Sequence, residues 1–159
     1  MTEVVSWATA RGPGGREGNS IRTSFSTLQR ESRGFGETHD LTDEVEACVA
    51  GAGIEEGLVV VSVPGSTASV TTIEYESGAV ADLRNAIERI APQDLPYAHD
   101  ARWHDGNGFS HVRAALLGPS VTLPVHEGRL VRGTWQQVVL LDFDNGARTR
   151  RVAVQVIGA

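Results

Sequence analysis

The dipeptide Asn145-Gly146 stands between two runs that read as strands, Thr134–Phe143 and Arg148–Ile157. Asn-Gly is the strongest short-range hairpin signal, because both residues tolerate the left-handed backbone that a two-residue turn needs. It predicts an antiparallel β unit in the C-terminal quarter, and the rest of the fold must accommodate it. Val121–Val125 adds a short strand, Glu127-Gly128 a turn, Leu130–Arg132 a further strand and Gly133 a bulge. Nearer the N-terminus, Ile21, Thr23, Phe25 and Thr27 alternate as in a strand. Gly57 opens Leu58–Val63, a β-branched run of the kind buried on both faces. Pro64-Gly65 ends that run, and a threonine-rich strand resumes through Tyr75.

Three stretches have helical spacing. Thr42 is the expected N-cap of the first, with Val45, Cys48 and Val49 as its buried stripe and Gly51 and Gly53 as its end. This makes Cys48 a small core residue. Ser77 is the expected cap of Gly78–Ala91, where Val80, Leu83, Ile87 and Ile90 recur on one face until Pro92 stops the helix. Asn107 is the expected cap of a short helix through Leu116, closed by Gly118-Pro119. Strands and helices follow one another without regular βαβ alternation. That order predicts an α+β fold with mainly antiparallel sheets. The chain's 159 residues suffice for one domain with a real core. Residues 1–19, rich in glycine and charge, predict a mobile tail ahead of a single domain over 20–159.

Composition excludes several functions. A net charge of −6 disfavours nucleic acid, whose binders neutralise phosphates with basic side chains. All 14 basic residues are arginine, which removes Schiff-base chemistry and any P-loop lysine. The single cysteine rules out an internal disulfide and multi-cysteine zinc sites. No membrane-length apolar run and no secretory leader are visible, so a cytoplasmic location is expected. Neither G-x-S-x-G nor G-x-G-x-x-G is present.

Chemistry concentrates in Tyr97–Arg113, which carries His99, Asp100, His104, Asp105, Asn107, His111 and Arg113. Residues 92–106 show no period, and a loop of that length in a compact domain is commonly functional. The cap at Asn107 would place His111 in the first turn of its helix. His99 and His111 are the expected metal ligands or proton carriers, with Asp100 ligating or orienting a histidine. Glu74, at the end of the threonine-rich strand, is a further candidate carboxylate. Ser66, Thr67 and Ser69 follow the Pro-Gly bend, where free backbone N–H groups can hold an anion.

Five segments together resemble the YjbQ family, described as secondary thiamine-phosphate synthases, over roughly residues 20–159. They are GLVVVSVPGSTASVTTIEYE, DLPYAHD, GNGFSHVRAALLGPSVTLPV, EGRLVRGTWQQVVLLDFDN and VAVQVIG. The resemblance implies a YjbQ-like, β-sandwich-like pair of sheets with two main helices, assembled as a homotrimer. It implies a histidine-rich pocket near the subunit interface that takes a divalent metal, Mg or Zn. The family's HD motif falls on His99 and Asp100, its N-x-x-x-H on Asn107 and His111, and its glutamate on Glu74. Many members carry histidine directly after Val-Pro, where this chain has Gly65, so either His104 or a carboxylate supplies the third ligand or this branch binds metal weakly or not at all. The implied activity joins an aminopyrimidine-methyl diphosphate to a thiazole phosphate and releases diphosphate. Under it, His99, His111 and Asp100 are catalytic, and His99, His111 and Glu74 hold the metal. Ser66, Thr67, Ser69, Asn107 and Arg113 would bind the phosphorylated substrate. The alternative is a trimeric binding protein for a metal or phosphorylated metabolite, with only incidental catalysis.

Overall fold

β9 (Arg148–Gly158) pairs with β2 (Arg22–Ser32) on one side and β4 (Gly57–Ser62) on the other. β8 (Gln137–Asp142) pairs with β3 (Glu37–Asp40) and β5 (Ala68–Ile73). The two strands flanking Asn145-Gly146 therefore belong to different sheets, and the expected hairpin does not form. The reason is local. A type I′ turn needs positive φ at both central residues, and neither Asn145 nor Gly146 is among the positive-φ residues. The chain instead turns a corner from the smaller sheet into the larger.

This computed structural model describes residues 3–5 and 20–159. The larger sheet has the order β1-β2-β9-β4-β6-β7, with β1 at Glu3–Val5, β6 at Ser120–His126 and β7 at Arg129–Leu130. The smaller has the order β3-β8-β5, and every pairing in both is antiparallel. Among the described residues, four helices complete the α+β domain: α1 (Thr42–Ala52), α2 (Ser77–Ile90), α3 (Ala98–Trp103) and α4 (Gly108–Leu117). The expected tail over 1–19 lies outside the described residues apart from Glu3–Val5, which pair with Phe25–Thr27.

Period-two side chains build the layers. Val138 and Leu140 of β8 enter a core with Val59, Val61, Val152 and Val154 of the larger sheet and Val45 and Val49 of α1. Val139 and Leu141, on the opposite face, join Ile87 of α2, Ala114 of α4 and Phe143. The strand buried on both faces is thus β8. The Leu58–Val63 run, expected to have that property, buries Val59 and Val61 and leaves Leu58 46% exposed.

Capping also differs from expectation in detail. α1 begins after Leu41. The Thr42 hydroxyl donates to Asp40 Oδ1 at 2.5 Å and accepts from the Val138 N–H at 3.0 Å, tying the helix start to β8. α2 is capped by Glu76, whose carboxylate accepts from the Gly78 and Ala79 N–H groups. α3 lies within the stretch expected to be irregular loop. No helix among the described residues is long and apolar enough to cross a membrane.

Candidate functional site

α3 and α4 meet at their N-termini because Gly108 lets them. A Cβ on Gly108 would sit 2.4 Å from Tyr97 Cβ, so only glycine permits this approach. Asp100 Oδ1 accepts the Gly108 N–H at 2.8 Å and ties α3 to the first turn of α4. Tyr97 anchors the junction by donating to the Pro92 carbonyl at 2.7 Å. His99, in the first turn of α3, and His111, near the start of α4, are thereby brought together. Their ring centroids lie 4.4 Å apart with planes tilted by 48°. His99 Nε2 stands 3.4 Å from Asp105 Oδ2.

His111 lines an open cavity of about 220 Å³ with Gly65, Ser66, Ala68, Ala114 and Pro119. The opposite wall is the Pro64–Thr67 bend. Among the described residues, the backbone N–H groups of Gly65, Ser66 and Thr67 have no protein acceptor, as expected of a bend able to hold an anion. Of the hydroxyls expected there, only Ser66 lines the cavity. Thr67, 6% exposed, donates to Asp144 Oδ2 at 2.9 Å. Ser69, fully buried, donates to the Ala114 carbonyl at 3.0 Å and holds α4 against β5.

Other expected residues stand elsewhere. Asp100 caps α4 and does not orient a histidine; the carboxylate beside His99 is Asp105. Arg113, expected to hold phosphate, is 4% exposed and turned toward α2. Its Nε donates to the Ala91 carbonyl at 2.9 Å, its Nη2 pairs with Glu88, and it stacks on Phe109. Asn107 precedes α4 without a side-chain cap bond, and its buried Oδ1 has no partner among the described residues. Glu74 is exposed and lies past the far end of β5, six residues from Ala68. At about 3.3 Å per residue that is roughly 20 Å from the cavity. His104, closing α3 with φ of 57°, is exposed and does not line the cavity.

The donor set bears on the expected metal. Among the described residues, no three His, Cys, Asp or Glu side chains converge on a position that could hold an ion. His99 and His111 alone fall short of the three protein ligands of catalytic zinc sites, and Mg²⁺ prefers oxygen. The residues of one chain do not fit a resident Zn or Mg ion.

Arg150 of β9 has a role that its place in a strand does not announce. Its Nε and Nη2 form a fork on Asp142 at 2.8 and 2.6 Å, and Nη2 also reaches Thr67 Oγ1 at 2.9 Å and Asp144 Oδ2 at 3.3 Å. Asp142 is fully buried and Asp144 is 3% exposed. Burial pushes the Asp144 carboxyl up. Hydrogen bonds from Arg148 and Thr67, with the charges of Arg148 and Arg150, outweigh that and hold it below the ordinary carboxylate range. This corner braces the site from below. The Phe143 N–H donates to the Thr67 carbonyl, its carbonyl accepts from Ser110 of α4, and Asn145 Nδ2 donates to the Asp105 carbonyl.

The family profile described as UPF0047 protein YjbQ-like matches residues 26–159. A UPF0047 protein of Archaeoglobus fulgidus is 42% identical over 118 residues, 74% of this chain and 89% of its own length. The UPF0047 protein YugU of Bacillus subtilis is 33% identical over 84% of this chain and 99% of its own. A crystal structure from Sulfolobus solfataricus, described as a YbjQ-like protein of unknown function, superposes with a TM-score of 0.83 at 31% identity, covering 87% of this chain and 99% of its own. These relatives are named without an activity, and that overturns the thiamine-phosphate synthase reading: none is described as joining a pyrimidine diphosphate to a thiazole phosphate. None is described as a binding protein for a metal or metabolite either.

Proposed function

The chain belongs to the UPF0047 family of YjbQ-like proteins, and from that premise we propose that the cavity between the Pro64–Thr67 bend and α4 takes a small phosphorylated metabolite, with His111 exchanging a proton with it. One observation carries the reading. The cavity sets an imidazole in ring contact with a second imidazole opposite a bend of acceptorless N–H groups. The bend N–H groups and the Ser66 hydroxyl suit phosphoryl oxygens. His111 can donate to, or accept from, a group held there. His99, backed by Asp105, stands behind it as a second proton carrier.

Glycerol phosphate titrated into labelled protein is expected to move the ring signals of His111 and His99. His111→Ala is expected to weaken binding about ten- to a hundredfold, the loss of one hydrogen bond to a charged group worth about 1.5–3 kcal/mol. Ring signals that stay fixed at saturating phosphate ester would sink the reading.

The same proposal includes a homotrimer. Val112 and Leu116, one turn apart on α4, are 40% and 58% exposed, and Trp103 at the end of α3 is 63% exposed. Exposed apolar side chains so near a site are typical of a surface covered by another subunit. Sedimentation velocity is expected to give three times the chain mass; a monomer at micromolar concentration would remove this element.

A further inference from the structure

Gly65 lines the cavity, and the one atom within 4 Å of where its Cβ would stand is Arg150 Nη1, at 3.5 Å. The other two nitrogens of that guanidinium are engaged with Asp142, Asp144 and Thr67, which fix its orientation. Nη1 has no hydrogen-bond partner among the described residues. The clamped Arg150 side chain, 11% exposed, therefore presents one unengaged N–H₂ group beside the bend whose backbone N–H groups are also unengaged.

We propose that Arg150 Nη1, together with the N–H groups of Gly65 and Ser66, is the receptor for the ligand's phosphoryl group, and that Gly65 sets this specificity by leaving Nη1 uncovered. The assignment rests on the reading of the cavity as a metabolite site and names its anchor. Three properties support it. A guanidinium pre-oriented by two carboxylates loses little freedom on binding. Its remaining donor lies within 3.5 Å of where a Gly65 Cβ would stand, next to the acceptorless bend, so side-chain and backbone donors are both at hand for an oxyanion with several acceptor oxygens. A side chain at position 65 would begin 3.5 Å from Nη1, and a large one would occupy the ligand's place.

Arg150 itself is a poor test, because its removal exposes two buried carboxylates. Gly65 is a better one. It does not have positive φ, so substitution there adds no backbone strain. Calorimetric titration with inorganic phosphate is expected to show Gly65→His weakening binding at least tenfold. Gly65→Ala, whose methyl meets Nη1 at ordinary contact distance, is expected to change affinity less than threefold. Unaltered unfolding curves would show that both variants fold, and acetate is expected to bind at least tenfold more weakly than phosphate. Equal phosphate affinity in Gly65→His and wild type, with the His111 signals still responding, would overturn the anchor and leave the cavity reading standing. Acetate binding as tightly as phosphate would overturn the phosphoryl assignment. Phosphate failing to bind the wild type would overturn both.

Discussion

Replacing Arg150 with methionine is expected to lower the unfolding free energy by about 3–5 kcal/mol, the usual cost of removing one partner from a buried ion pair. The loss falls mainly on Asp142. Its side chain is fully buried, and without Arg150 its carboxylate keeps only the Asp144 N–H, at 3.0 Å. Asp144 fares better, because Arg148 Nε still donates to it at 3.0 Å. Methionine fills much of the arginine's volume, so the effect reports charge and hydrogen bonding more than a cavity. A second substitution isolates the cause. Asp142→Asn is expected to destabilise the wild type but to recover part of the loss in the Arg150→Met background, because it removes the stranded charge. Such non-additivity is normal for residues in direct contact. Urea titrations of the two single variants and the double variant measure the cycle. A loss below about 1 kcal/mol for Arg150→Met would mean that the corner is held by something else.

The second large effect is expected at Gly34. Its φ is +80°, and an added Cβ would stand 2.3 Å from the Asp144 carbonyl oxygen and 2.8 Å from that of Gly146. Both are backbone atoms of the corner that braces the site. Relief would separate the segments and disturb two hydrogen bonds, Phe35 N–H to Asp144 O at 2.8 Å and Gly36 N–H to Asp142 O at 2.6 Å. Left-handed strain of about 1–2 kcal/mol and two hydrogen bonds of about 1 kcal/mol each sum to about 3–4 kcal/mol for Gly34→Ala. In a domain of this size that is about 6–16 °C in Tm. Gly146→Ala is the control on the same corner: its Cβ would meet nothing within 4 Å and its φ is not positive. Scanning calorimetry should leave Gly146→Ala close to wild type. A Gly34→Ala protein that melts with wild type would contradict the close approach.

Long periodic elements were legible in the sequence. β2, β4, β5, β6, α1, α2 and α4 stand close to where alternation, helical spacing and punctuation put them. Short elements were not. The four residues of β3 are all half-buried and carry no alternation, and α3 has six residues, too few for a period to emerge. The corner at Asn145-Gly146 departs from the hairpin expectation because Asn-Gly permits such a turn without compelling one, and neither residue takes the positive φ that the turn needs. The site divides in the same way. The meeting of His99 and His111 was foreseen from their density, and the donor character of the bend from Pro64-Gly65. The pairing of Asp105 with His99 has no signal in the sequence, because α3 and its turn, which bring the two together, are too short for a period to emerge. Arg113 and Asp100 drew attention by proximity in sequence. Buried arginines are more often engaged in holding helices together, and Arg113 does that.

β9 lies between β2 and β4, and Arg22 pairs with Gly158 across nearly the whole described chain. The larger sheet cannot close until those distant segments have met. Closing so long a loop costs entropy before any pairing repays it. Refolding from denaturant should therefore belong to the slow, millisecond-to-second class typical of topologies dominated by non-local strand pairing. Until β9 docks, β2 and β4 each offer an open edge, and the half-assembled chain is at its most prone to self-association.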